Sequence, residues 1–119
     1  MILVIGGAYS GKHAYVRTLG YAEEQIANAK LDDKPVLDNL QDLLQTAELN
    51  EEMLDELRTH DIVICTELGS GIVPANAQDR VWRERVGRAC GALAAHADSV
   101  IRIVCGIPLA IKGELPCSS

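Results

Sequence analysis

The sequence predicts an α/β fold: a mainly parallel sheet of about four or five strands, covered by helices in a three-layer arrangement. Three observations lead there. Along the 119 residues, short apolar runs alternate with segments of helical period, the order that right-handed strand–helix–strand crossovers produce. None of the apolar runs alternates cleanly with polar residues, which is how strands buried on both faces of a parallel sheet read. Finally, the first run passes straight into a glycine-rich turn that opens a helix.

Taken in order, Ile2–Ile5 is the first strand, and Lys12 to Thr18 is a short helix broken at Gly20. Ala22 to Lys30 reads as a helical continuation, and Pro35–Leu37 as the second strand. Leu40, Leu43, Leu44 and Ala47 share one helical face, and Met53, Leu54 and Leu57 share another. Ile62–Cys65 is the third strand and Val100–Cys105 the fourth. Between them, Val81, Trp82, Val86, Ala89, Cys90, Leu93 and Ala97 mark a long helix from about Ala77 to about His96. Residues 1–112 are expected to form one nucleotide-binding domain, with residues 113–119 as a frayed tail.

Composition narrows the function. A net charge of −6 argues against nonspecific binding to nucleic acid or to an anionic membrane. One Trp, three Tyr and no Phe disfavour a stacking platform for single-stranded nucleic acid. No basic leader precedes the first strand, and no apolar run approaches the ~20 residues of a membrane span. The four cysteines show no C-x-x-C spacing. Cys65 and Cys105, in apolar runs, are expected to be buried thiols. A reduced, cytoplasmic setting follows as the expectation.

The chemistry concentrates at the first turn. Gly6-x-x-x-x-Gly11-Lys12, with a strand before it and a helix after it, is the P-loop pattern in its required context. Gly6, Gly7 and Gly11 remove side chains where the main chain must approach phosphate. Ala8, Tyr9, Ser10 and His13 complete the expected nucleotide-binding loop, and Lys12 places a positive charge on the β- and γ-phosphates. The pattern asks for Ser or Thr after the lysine, to hold Mg²⁺ through a hydroxyl, and this chain has His13.

On a parallel sheet the ligand rim lies at the strands' carboxyl ends. Asp38 ends the second strand there, as a candidate Mg²⁺-organising acid and equally as an N-cap for the helix at Leu40. Glu67, in the loop Thr66–Pro74, faces the same rim as a candidate catalytic carboxylate. A solvated glutamate is the commoner outcome of such a loop. Of Arg80, Arg83, Arg85 and Arg88, most read as a solvated helix face. His60 and His96 read as helix-end residues.

Three blocks resemble the adenosylcobinamide kinase/adenosylcobinamide-phosphate guanylyltransferase family of cobalamin assembly. They are Ile2 through Lys12, then Thr66-Glu-Leu-Gly-Ser-Gly-Ile-Val-Pro74, and Arg85-Val-Gly-Arg88 followed by Cys105 through Lys112. Val36-Leu-Asp38 is similar to the family strand that carries an acid. The resemblance implies ATP or GTP as the nucleotide, Mg²⁺ near Asp38, and phosphorylation of the aminopropanol hydroxyl of adenosylcobinamide, a corrinoid. It also implies a homo-oligomer, as trimers or pairs of trimers. Guanylyl transfer in that family runs through a histidine, and no histidine lies between His13 and His60 here. The expectation is therefore a shortened, divergent, kinase-like member without guanylyltransferase activity, working with another protein that supplies the missing parts. The alternative is a noncatalytic nucleotide-binding or partner subunit.

Overall fold

The computed structural model describes residues 1–68 and 77–116. Six strands form one mixed sheet in the order β2-β3-β4-β1-β5-β6. They are β1 (Ile2–Gly6), β2 (Ile26–Asn28), β3 (Val36–Asp38), β4 (Ile62–Thr66), β5 (Ser99–Val104) and β6 (Ile107–Lys112). Every pairing is parallel except the last, where β6 returns antiparallel along β5. The helices are α1 (Lys12–Thr18), α2 (Leu40–Leu43), α3 (Glu51–Arg58) and α4 (Ala77–His96).

Residue parity along the strands separates two apolar layers, because successive side chains leave a strand on opposite faces. Leu3, Leu37, Val63, Cys65 and Val100 pack beneath α2, α3 and α4, with Leu40, Leu57, Val86, Ala89 and Leu93. Val4, Val36, Ile62, Ile64, Ile101 and Ile103 face the other way, onto Val16 of α1. The central strands are apolar on both sides for this reason. It is also why they lack the alternation of a half-exposed strand.

Two elements differ from the sequence expectation. Ala22–Lys30 is not helical: Glu23–Gln25 is a single 3₁₀ turn, followed by β2, whose Ile26 and Ala27 are buried. Pairing of these residues with Val36 and Leu37 overrides a local preference for helix. The sheet also has six strands where about four or five were expected, the sixth being a closing strand through residues 107–112. Ser99 Oγ donates to Glu114 O at 2.9 Å, fixing the chain beyond Lys112. A Cβ on Gly113 would stand 2.3 Å from Asp98 O, and its φ of +69° is a left-handed conformation. Cys105 is exposed rather than buried, since it begins the β5–β6 turn with φ of 50°. α3 starts where an Asn is favoured, with Asn50 Oδ1 accepting from Met53 N at 2.8 Å.

The connections place the site. The chain leaves β1 toward one face of the sheet, through α1, and leaves β4 toward the opposite face, through α4. β1 and β4 are adjacent strands, so their carboxyl ends diverge into a crevice at a topological switch point.

Candidate functional site

That crevice is a cleft of about 650 Å³, lined by Ala8 through Ala14, Asp38, Asn39 and Thr66. Its floor is the turn from β1 to α1, which folds back on itself. A Cβ on Gly6 would lie 2.6 Å from Ser10 Oγ and 2.7 Å from Ile103 O, so no larger residue fits. Gly11 reverses the chain with φ of +95°, close against Gly106. Gly106 N donates to Ser10 O at 2.8 Å, tying the β5–β6 turn to the loop. Among the described residues, the non-glycines with positive φ are Tyr9, Ala29, Asn39 and Cys105. All four lie just past the carboxyl ends of β1, β2, β3 and β5, so main-chain strain gathers on this rim.

Lys12 is buried and its side chain curls over the loop, with Nζ donating to Gly7 O at 2.6 Å and to Ser10 Oγ at 3.4 Å. An ammonium carries three donors, so capacity remains for an anion. Burial lowers the Lys12 pKa, opposed by the nearby carboxylates of Asp38 and Glu67. A desolvated cation on a glycine turn suits a polyanionic ligand.

His13 does not face the cleft alone. Its Nδ1 lies 2.7 Å from Asp38 Oδ2 and its Nε2 lies 2.7 Å from Glu23 Oε1. Hydrogen bonds from Glu23 and then Asp38 raise the His13 pKa, while His13 and Arg17 hold the Glu23 carboxyl below its ordinary value. Arg17 Nη1 donates to the same Glu23 oxygen at 2.6 Å. Asp38 Oδ1 accepts the main-chain N–H of Asn39 at 2.7 Å. Asn39 is left-handed and its side chain bridges Asn28 and Gln41, which fixes the turn bearing Asp38. Among the described residues, no group of three or more His, Cys, Asp or Glu is arranged to hold a metal ion.

Glu67 stands on the rim but is engaged: Arg102 on β5 clasps both its oxygens, at 2.9 and 3.1 Å. The rest of the expected loop, from Gly69 to Pro74, lies outside the described residues. Arg85 belongs to the packing between helices, with Nη1 donating to Leu44 O at 2.6 Å. His60 Nδ1 sits 3.1 Å from Glu56 O at the end of α3, the helix-end position expected for it. The buried Cys65 thiol is pushed up by its hydrogen bond with Cys90 and by burial, which keeps it protonated.

Three partners escaped the sequence reading. Glu23 lies in a stretch read as helix, so its approach to His13 was invisible. Gln41, buried on α2, accepts Thr66 N at 3.0 Å and Trp82 Nε1 on its main-chain oxygen at 2.8 Å, joining three elements of the rim. Arg102 had a visible signal: it is the one charge in the otherwise apolar run Val100–Val104.

These features define a class: a mixed α/β protein whose glycine turn, buried lysine and paired rim carboxylates converge at the carboxyl edge of a mostly parallel sheet. The model of the family described as cobinamide kinase / cobinamide phosphate guanyltransferase matches residues 28–111, and the chain belongs to that family. The match begins at Asn28, so the glycine turn lies before it. No curated protein matches the chain. Among the described residues, no helix is long and apolar enough to cross a membrane.

Proposed function

We propose that this chain is a nucleotide-binding, cobinamide-kinase-like protein that holds the phosphate tail of ATP or GTP on the Gly6–His13 loop. The observation that carries the reading is Lys12, buried and folded over Gly7 O and Ser10 Oγ at the switch-point cleft. The main chain of Gly6, Gly7, Ala8, Tyr9, Ser10 and Gly11 forms the cradle, and Lys12 neutralises charge on the terminal phosphates. Family membership supplies the acceptor class: a corrinoid alcohol of the cobinamide type. In transfer, the acceptor oxygen bonds to the γ-phosphorus while the β–γ bridging bond breaks and the hydroxyl proton leaves to solvent. Lys12 stabilises the charge on the moving group, and Glu67 with Arg102 borders it.

A second reading, a subunit that holds nucleotide without transfer, is favoured by one contact. Asp38, the acid that would organise Mg²⁺ for transfer, is hydrogen-bonded to His13. Self-association is proposed in either case. Ile107, Leu109 and Ile111 on the edge strand β6 are 62%, 54% and 59% exposed, an apolar edge that suits a second copy. A trimer is the arrangement the family resemblance favours, and a protein partner supplying missing catalytic parts belongs to the same proposal.

Calorimetric titration with ATP and GTP tests the binding. Lys12→Ala is expected to weaken it by about 10- to 150-fold, the equivalent of about 1.5–3 kcal/mol for a hydrogen bond to a charged group. Unchanged affinity overturns the proposal. Phosphorylated corrinoid formed from cobinamide and nucleotide separates transfer from holding.

A further inference from the structure

Mg²⁺ is a small, hard cation that takes six oxygen ligands in near-ideal octahedral geometry. In a P-loop its protein ligands are the hydroxyl after the lysine and a rim carboxylate. Neither is available in that form here. Position 13 carries an imidazole, a poor ligand for so hard an ion. Of the Asp38 oxygens, Oδ2 is 2.7 Å from His13 Nδ1 and Oδ1 is 2.7 Å from Asn39 N. The carboxylate is only 13% exposed, on a turn fixed by the side-chain bridge of Asn39 to Asn28 and Gln41.

The far side of the ring is held as well. Glu23 Oε1 lies 2.7 Å from His13 Nε2, and Arg17 holds that same oxygen at 2.6 Å. Carboxylates only accept hydrogen bonds, so a ring placed between two of them donates from both nitrogens and carries a positive charge. Each Asp38 oxygen already accepts one strong hydrogen bond, and a magnesium ion taking its remaining lone pair would stand directly beside the His13 ring.

We propose that the His13–Asp38 pair stands where a P-loop magnesium would, so that the chain takes free nucleoside triphosphate rather than its Mg²⁺ complex. The proposal rests on the reading of Gly6–His13 as a nucleotide site and deepens it by naming the ligand species. The bridge engages the carboxylate that would otherwise organise the metal, and Lys12 remains the group that meets the phosphates. Added Mg²⁺ then competes, because it withdraws the free nucleotide.

Calorimetric titration of the full chain with ATP and with GTP, in EDTA and again in excess Mg²⁺, tests this. Binding is expected to be tighter in EDTA and several-fold weaker in Mg²⁺. His13→Ser, which restores the hydroxyl and frees Asp38, is expected to reverse the order and bind more tightly with Mg²⁺. Tightening of the unsubstituted chain by tenfold or more on adding Mg²⁺, relative to EDTA, overturns the metal-free proposal while leaving the nucleotide site standing. Absence of binding in both buffers overturns the site and this proposal together. The comparison on the unsubstituted chain decides the matter even where His13→Ser folds poorly.

Discussion

His13 on the first turn of α1 and Asp38 at the end of β3 meet across the rim, with Nδ1 2.7 Å from Oδ2. The contact joins the glycine turn to the outer half of the sheet, and Glu23 and Arg17 extend it to the stretch before β2. One side chain therefore links the glycine turn, the candidate acid and a segment that the sequence did not show as part of the candidate site.

The bridge makes stability depend on pH. The folded-state pKa of His13 lies above the ordinary 6.5, chiefly through Glu23 and then Asp38. Its contribution is fully present below pH 6.5 and is lost as pH rises through the raised folded-state value. Glu23, with its pKa lowered from 4.5, contributes above that value and loses its share as pH falls through the depressed one. Urea midpoints are expected to decline from just above pH 6.5 toward alkaline pH, with His13→Asn flattening that slope. Parallel slopes for the two proteins would show that the bridge is not formed.

At the far end of β6, Gly113 is expected to be indispensable to local order. Ala there must adopt a left-handed backbone and place its Cβ 2.3 Å from Asp98 O. Gly113→Ala should cost about 1–3 kcal/mol in urea unfolding. An unchanged midpoint would mean that the chain beyond Lys112 is not docked on Ser99.

The apolar row on β6 predicts a concentration-dependent assembly. Leu109→Lys combined with Ile111→Lys should shift light-scattering mass to that of a single chain, with the circular dichroism spectrum unchanged, because both side chains point away from the core. An identical mass for both proteins removes the β6 face as the contact.

Much of the architecture was legible in the sequence because its apolar runs are deep core. Leu3, Val4, Val63, Ile64 and Ile101 are almost wholly buried, and a strand of that kind announces itself. β2 was not legible. Three residues are too few for a periodic signal, and only pairing with β3 makes them a strand. β6 carried no strand period of its own, because its outward residues are apolar where a sheet edge is normally polar, and only the resemblance over Cys105–Lys112 pointed to a closing strand. In the site, Lys12 and Asp38 were found from motif spacing and from position at a strand end. The Glu23 and Arg102 contacts depend on chain paths that local sequence does not encode, so the bridge on His13 and the clasp on Glu67 emerge only in three dimensions.

A phosphate tail held by the turn between β1 and α1 underlies every function proposed for this chain. Two-dimensional amide NMR of the labelled chain, titrated with metal-free ATP or GTP, reads this residue by residue. Saturable shifts are expected, largest at Gly7 through Lys12, with an apparent dissociation constant below about 1 mM, or about −4 kcal/mol. Shifts confined to other parts of the sheet, or none at that concentration, would contradict it.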